Sequence, residues 1–261
     1  MKVGKYSLFC GSLVQKPDRL TMYGQAEGFD ETVTVDSFDG GCTWADPRLL
    51  ILDQRDLLVQ PQYVEFNGET YLYGWNPDKY FEQYKLVNDR TWISQGTLFP
   101  MGAQFNDVVY IRPALDVLAF YIQTYETPGL KVDYDNLPGQ HRLMKVYTSS
   151  DGIVLTDEGY MFEPDDNPEI QYYYFFPATD NMGFVGLYNV VEQTTDVEQC
   201  FFDGGRWSRT HKLYMDRGDY RNIYICGYAV HDRTPYLFIQ ASYDWHNSPK
   251  KEFVLLREKL R

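Results

Sequence analysis

Short runs of alternating apolar and polar residues fill most of the chain, and turn-forming residues separate them. Alternation with a period of two is typical of a β-strand with one buried face, and the turn residues mark hairpins. The clearest runs come in adjacent pairs, namely 5–15 with 18–26, 61–68 with 69–75, 106–115 with 117–125, 169–180 with 182–190, and 222–232 with 235–245. No segment sustains an apolar 3.6-residue period over three turns, so the pattern predicts strands and no long helix.

A degenerate turn motif recurs in phase with these pairs. Its copies are SFDGGCTW at 37–44, LVNDRTW at 86–92, SSDGIVL at 149–155 and FFDGGRW at 201–207. Each copy follows a third strand and precedes a fourth, so the repeating unit is four short antiparallel strands over roughly 50 residues. The longest interval between copies contains an evident loop insertion at 124–140. Such a unit is typical of a propeller blade.

Five units account for nearly the whole chain as a single domain. Their approximate bounds are 1–55, 56–100, 101–164, 165–217 and 218–261. The sequence therefore predicts an all-β, five-bladed β-propeller of four-stranded antiparallel blades. The fifth unit has no obvious fourth strand, so either the N-terminal MKVGKY closes that blade or the ring closes without a shared blade. A β-sandwich with long hairpins is the alternative, but it does not explain a turn motif repeated in phase.

The composition agrees with this architecture and narrows the partners. Aromatic residues make up 17% of the 261 positions, with 23 Tyr and 16 Phe, and these residues favour half-buried strands. The net charge of −13 would repel a phosphate backbone, so nucleic acid is a poor partner. No apolar stretch is long enough to insert in a membrane, and MKVGKYSLFC lacks the features of a signal peptide. We expect a soluble protein, cytoplasmic or secreted if a signal has been removed.

Neither cysteines nor acidic loops indicate a metal site. The cysteines are Cys10, Cys42, Cys200 and Cys226, without C-x-x-C spacing and in apolar or aromatic surroundings. This pattern favours buried free thiols over disulfides or zinc ligands. The acidic loops at 133–136 and 163–169 could hold Ca²⁺ through clustered oxygens, but neither matches an EF-hand loop. We therefore expect solvated loops and no cofactor.

The turn motif has a structural interpretation. An Asp in such a turn accepts hydrogen bonds from nearby backbone N–H groups, Gly takes positive φ, and Trp packs between sheets. In a four-stranded blade the first and third turns share one face of the disc. The acids expected on that face are Asp39, Asp89, Asp151 and Asp203. A site built from several blades is expected on the opposite face, where the inner strands begin and the second turns lie.

Three segments resemble known propellers. SFDGGCTW resembles the Asp box of sialidases and other BNR-repeat propellers. PQYVEFNGETYLYGW resembles the blade opening of the five-bladed glycosidases of families 43 and 32, and MGFVGLYNVVEQTTDVEQCFFDGGRWSR is similar to blades of related proteins. The resemblance spans all five units. It implies that a glycan is the substrate and that inward-pointing carboxylates from different blades act as acid and as base or nucleophile.

The resemblance directs attention to acids at the starts of inner strands. These are Asn106-Asp107, Asp165-Asp166 with Glu169, and Asp219 with Arg221. We take Asp107, Glu169 and Asp219 as catalytic candidates, with Glu169 the acid and Asp107 or Asp219 the ionised partner. Acids before a strand are also ordinary solvated loop residues. Moreover, the first unit, MKVGKYSLF, has no acid where family 43 and 32 enzymes carry one, and the arginine triad of sialidases is not evident.

Two second turns supply candidate sugar-binding groups. Trp75-Asn76 and Trp245-His246 pair an aromatic ring with polar groups, and Arg221 precedes the fifth inner strand. Aromatic faces stack on the apolar C–H patches of sugars, while amides and charged groups bind hydroxyls. The tryptophans are equally interpretable as covers over neighbouring blades. Two functions therefore remain open, a glycoside hydrolase and a non-catalytic carbohydrate-binding or assembly propeller, with the oligomeric state unknown.

Overall fold

The computed structural model describes residues 2–3, 6–26, 30–78, 80–100, 105–114, 116–125, 142–163, 167, 169–213, 221–231, 234–242 and 251–257. All regular elements in these ranges are β-strands, as the alternating pattern predicts. They form five successive sheets.

Each of the first two sheets has the four antiparallel strands of a blade and one further strand of two residues at its edge. The first sheet contains β1 (Lys2–Val3), β2 (Tyr6–Gln15), β3 (Leu20–Ala26), β4 (Thr32–Ser37) and β5 (Arg48–Leu49). The second contains β6 (Ile51–Leu52), β7 (Val59–Phe66), β8 (Glu69–Trp75), β9 (Tyr80–Asn88) and β10 (Thr91–Pro100). In the second sheet β6 pairs in parallel with β10, so the chain leaving the first blade borders the outer strand of the next.

The other three sheets keep the strand order of the chain. The third contains β11 (Phe105–Ala114), β12 (Val117–Tyr125), β13 (Arg142–Ser149) and β14 (Thr156–Tyr160). The fourth contains β15 (Ile170–Pro177), β16 (Met182–Asn189), β17 (Thr194–Phe202) and β18 (Trp207–Lys212). The fifth contains β19 (Asn222–His231), β20 (Thr234–Ser242) and β21 (Lys251–Arg257). The fold is an all-β, five-bladed β-propeller, as predicted.

The N-terminal strand settles one of the open alternatives for the last blade. Lys2 pairs with Ser7 and Val3 pairs with Tyr6, so β1 belongs to the first sheet. Among the described residues the fifth sheet has three strands, and the proposal that the N-terminal segment closes it is wrong for Lys2–Val3.

The chain divides into two compact units. Unit 1 comprises Met1–Ala103, Ile111–Ala119 and Thr148–Thr156, and unit 2 comprises Gln104–Tyr110, Phe120–Tyr147 and Asp157–Arg261. The third sheet contributes residues to both. The single-domain organisation stays a prediction.

Each unit has an aromatic-rich core between its sheets. In unit 1 the core cluster is Tyr23, Leu50, Leu52, Leu58, Leu72, Tyr84 and Trp92. In unit 2 it is Tyr174, Phe184, Val197, Ile223, Ile225 and Ile239. Of the turn-motif tryptophans, Trp92 and Trp207 are buried and Trp44 is partly buried against a neighbouring cluster. The predicted packing between sheets is confirmed for Trp92 and Trp207, which contact residues of two sheets, whereas Trp44 packs against residues of its own sheet.

A local signal fixes the first hairpin of the second blade. Asn67 and Gly68 have φ of 52° and 75° and join β7 to β8. Positive φ at both central positions is what a type I′ turn requires, and Asn-Gly adopts it at low cost. This turn sets the register in which Phe66 pairs with Glu69.

In unit 1, inner strands are joined across blades by side chains. The strand β7 lies at a sheet edge, so some of its backbone groups need partners outside the sheet. The Ser12 hydroxyl donates to the Pro61 carbonyl at 2.8 Å and accepts from the Tyr63 N–H at 2.8 Å. The side-chain oxygen of Gln62 in turn accepts from the Ile111 N–H at 3.1 Å. Both Ser12 and Gln62 directly follow a register shift in their own strand.

Unit 2 repeats this arrangement with a tyrosine. Tyr174 also directly follows a register shift in β15. Its hydroxyl donates to the Ile223 carbonyl at 3.1 Å and accepts from the Ile225 N–H at 3.1 Å. The bulge redirects the side chain toward the next inner strand, where it satisfies two buried backbone groups.

We expect Tyr174→Phe to lower the free energy of unfolding by about 1–3 kcal/mol, because the ring is kept while two buried backbone groups lose their partner. Urea denaturation followed by tryptophan fluorescence measures the change. The control is Tyr228→Phe, a partly buried tyrosine on β19. Equal midpoints for Tyr174→Phe and the wild type would contradict the bridging role.

Candidate functional site

The first turn motif forms a closed hydrogen-bond network around Asp39. One carboxylate oxygen accepts from the Ser37 hydroxyl at 2.9 Å and the Thr43 N–H at 2.8 Å, and the other accepts from the Thr43 hydroxyl at 2.6 Å. Gly40 and Gly41 have positive φ, and the Trp44 indole N–H donates to the Gly41 carbonyl at 3.0 Å. These bonds, led by that of the Thr43 hydroxyl, lower the pKa of Asp39 to about 2.

The third and fourth motif copies are built alike. Asp151 accepts from the N–H groups of Ile153 and Val154, both at 2.8 Å. Asp203 accepts from the N–H groups of Gly205 at 3.1 Å and Arg206 at 3.0 Å. Backbone hydrogen bonds lower the pKa of both carboxyls. These acids hold turns, while their assignment to the Asp-box repeats stays a prediction.

Asp39 should stabilise the protein in a pH-dependent way. Because its folded pKa lies below the ordinary value, its contribution is complete above about pH 4 and is lost as the pH falls toward about 2. We expect Asp39→Asn to unfold at lower urea than the wild type at pH 7, with the difference shrinking at pH 2. Asp116→Asn, in the exposed turn after β11, should match the wild type at both pH values. A difference that is the same at both pH values would contradict a role for the charge.

Of the three catalytic candidates, Glu169 is the one whose side chain the structure describes. It is exposed and directly precedes β15. Its N–H donates to the Asn167 side-chain oxygen at 3.0 Å, and its carbonyl accepts from the Val190 N–H at 2.9 Å. The backbone is thus held on both sides while the carboxylate faces solvent. Asp107 lies within β11 with its side chain outside the described residues, and Asp219 lies outside them altogether.

The predicted sugar-binding groups occupy different environments. Trp75 is 3% exposed, with its ring centre 5.0 Å from that of Phe81 and 5.6 Å from that of Phe99. Its ring therefore packs in the core against aromatic rings of its own sheet. Arg221 is exposed before β19, and its carbonyl accepts from the Thr195 N–H at 2.9 Å. Trp245 and His246, like the acids Asp165 and Asp166, lie outside the described residues.

Asn76 belongs to a buried polar cluster that the sequence analysis missed. Its amide donates to the Glu82 carboxylate, and its oxygen accepts from the Tyr80 N–H at 2.9 Å. Glu82 also accepts from the Tyr84 hydroxyl at 3.0 Å, and its carboxylate is 3.5 Å from Arg55 Nε. Although Glu82 is only 6% exposed, the charge is paired and hydrogen-bonded.

Arg55 connects this cluster to the surface. It lies in the connection between the first and second blades, and its Nη1 donates to the Asp78 carboxylate at 2.7 Å. Asn76 and Asp78 lie between β8 and β9, in the second turn of the blade. Both segments belong to the face on which the sequence analysis expects a site. The sequence signal for this cluster is Glu82, which stands in a strand between the aromatic residues Phe81 and Tyr84. An acid among residues that face the core indicates a buried charge.

We expect Glu82→Gln to lower the free energy of unfolding by about 1–3 kcal/mol, because an amide cannot accept all three donors. The matched control is Glu69→Gln in the same blade, where an exposed pair with Lys85 at 3.0 Å should contribute little. Urea denaturation compares the two. Destabilisation of equal size in both variants would contradict the special role of Glu82.

Among the cysteines, Cys42 and Cys200 follow the prediction of buried free thiols in part. Cys200 is a buried free thiol, and burial raises its pKa to about 12. Cys42 is free but exposed, so the prediction of burial is wrong there, because the turn carries it to the surface. The described ranges contain no group of three His, Cys, Asp or Glu side chains that could hold a metal ion. Within the same ranges, no helix has the length and hydropathy that a membrane span needs.

Comparisons with known proteins relate this architecture to glycosidases. No family model matches the sequence, and no curated protein matches it. Among solved structures, a thermostable family-43 glycoside hydrolase is similar with 12% identity and a TM-score of 0.58, over 99% of this chain and 92% of that one. A family-43 enzyme from Xanthomonas citri in complex with xylotriose gives 12% identity and a TM-score of 0.57, over 98% and 88%.

A third structure comes from another glycosidase family. It is a family-32 β-fructofuranosidase from Bombyx mori, with 11% identity and a TM-score of 0.55, over 93% of this chain and 56% of that one. The chain has the five-bladed propeller fold of these hydrolases. At such identities the similarity establishes the fold, and function has to be argued from the site.

Proposed function

We propose that this chain acts on a glycan as a glycoside hydrolase. The observation that carries the proposal is the placement of Glu169, an exposed carboxylate at the start of an inner strand whose backbone is held from two sides. A general acid must be positioned yet accessible to the leaving oxygen, and this residue meets both conditions. The fold adds support, since similar structures include family-43 and family-32 hydrolases.

Hydrolysis requires a second carboxylate. Glu169 would protonate the glycosidic oxygen, and an ionised Asp107 or Asp219 would activate water or attack the sugar directly. Both partners stand at the start of an inner strand in sequence. A carboxyl separation of about 5 Å would indicate retention of configuration, and one of about 6.5–9.5 Å would indicate inversion.

The second candidate function is non-catalytic carbohydrate binding. The first inner strand begins at Tyr6, and the sequence MKVGKYSLF has no acid where the resemblance leads us to expect one. A propeller with an incomplete set of acids could still bind sugars through its loops. Glycan-array binding without turnover of any bound sugar would favour this function.

We expect Glu169→Gln to lower kcat/KM by about 100-fold or more, because the amide cannot protonate a leaving group. The assay is a panel of disaccharides and trisaccharides of neutral pentoses and hexoses, whose alkoxide leaving groups need the proton that Glu169 would supply. The control is Glu192→Gln, an exposed glutamate in the β16–β17 turn of the same blade, which should retain wild-type turnover. Full turnover by Glu169→Gln would rule out the acid role.

A further inference from the structure

An aromatic cluster in unit 2 joins the inner strands β15 and β19 to the second strand β16. The ring centre of Tyr173 is 5.4 Å from that of Tyr224 and 5.7 Å from that of Tyr188. The Tyr224 hydroxyl donates to that of Tyr173 at 2.6 Å. All three tyrosines are partly exposed, unlike the adjacent core residue Tyr174, which is 2% exposed. Tyr173 and Tyr224 pack against the core cluster of unit 2, and the part of the three rings that stays exposed is accessible to a ligand.

Hydrogen bonds to β12 and β19 fix the backbone around Tyr173. The fully buried Gln123 amide donates to the carbonyls of Tyr172 at 2.9 Å and Tyr173 at 2.7 Å. On the following residue, the Tyr174 hydroxyl binds the backbone of β19. The position of Tyr173 is thus fixed by contacts to β12 and β19, and a fixed surface loses little conformational entropy when a ligand binds.

Strand pairing and ring contacts place the cluster on the same side of β15 as Glu169. Side chains two residues apart share a face before the bulge in β15, so Glu169 and Gln171 point the same way. Tyr188 pairs with Gln171 and therefore shares that face, and the ring of Tyr173 meets it there at 5.7 Å. Four residues of extended strand span about 13 Å, which exceeds one sugar ring. A ligand that reaches both Glu169 and Tyr173 must therefore contain more than one sugar.

The chemistry of the cluster favours a neutral ligand. The three rings carry no charge of their own, and the Tyr224 hydroxyl is engaged by that of Tyr173. The nearby Arg142 guanidinium lies 5.5 Å from the ring centre of Tyr173, where the ring face engages its charge. Uncharged aromatic faces suit the C–H patches of sugar rings.

We propose that Tyr173, Tyr188 and Tyr224 form an aromatic subsite that receives a neutral sugar ring distant from Glu169, so that the ligand is a neutral oligosaccharide. This inference rests on the proposed function, since it takes Glu169 as the reacting end of the same site. It adds that the ligand contains more than one sugar and carries no net charge. Single glycosides should then occupy the site near Glu169 without touching the tyrosines.

The test measures binding by isothermal titration calorimetry in the Glu169→Gln background, where turnover is suppressed. The probes are xylotriose, mannotriose and arabinotriose, with the matching monosaccharides and trigalacturonic acid for comparison. We expect Tyr173→Ala to weaken the best-bound neutral trisaccharide about tenfold, while Tyr173→Phe stays within about threefold, because stacking needs the ring. Trigalacturonic acid should bind more weakly than the neutral probes.

Two further variants keep the test decisive. Tyr188→Ala, at the end of β16, should weaken trisaccharide binding even if Tyr173→Ala fails to fold. Tyr160→Ala removes an exposed tyrosine from β14 and should bind like the parent. Circular dichroism and urea denaturation confirm that each variant is folded.

The outcomes separate this inference from the proposed function. Turnover of glycosides by the wild type, with trisaccharide affinity unchanged in the folded tyrosine variants, overturns the subsite and leaves the hydrolase. Tyrosine-dependent binding without turnover supports the subsite and overturns the hydrolase. Preference for trigalacturonic acid overturns the neutral charge class, and no binding of any probe overturns both proposals.

Discussion

The free edge of the inner strands β7, β11 and β19 is the constraint on which the structure depends. The backbone groups at such an edge must be satisfied, and no further strand of the same sheet is present to do so. Side chains that follow a bulge solve the problem, with Ser12 and Gln62 in unit 1 and Tyr174 in unit 2. A serine, a glutamine and a tyrosine share the task, so the requirement is one of position and hydrogen-bonding capacity.

The same constraint prepares the candidate site. An inner strand that is bound along its free edge keeps its first residues in fixed positions. On β15 this order extends from Glu169 to Tyr173, whose carbonyl Gln123 holds from another blade. The polar edge contacts thus lie beneath the surface at which a ligand would bind. Stability and preorganisation have a common origin in this unit.

Asp39, Glu82 and Glu169 stand in three different environments. Asp39 stabilises a turn through hydrogen bonds that lower its pKa, and Glu82 is a buried charge paired with Arg55. Glu169 is exposed and available for chemistry. The sharpest sequence motif therefore belongs to the structural group. This is expected, because a turn imposes strict local geometry at fixed spacing, whereas a site built from several blades imposes none.

The sequence by itself determined the strands, the five-blade repeat and the structural role of Asp39, because alternation and turn chemistry act between residues close in the chain. Only the tertiary structure decided that Trp75 is buried, that Glu82 has a charged partner, and that tyrosines from different strands meet beside Tyr173. These features depend on which distant segments pack together, and a pattern of period two gives the face of a strand without naming its neighbours.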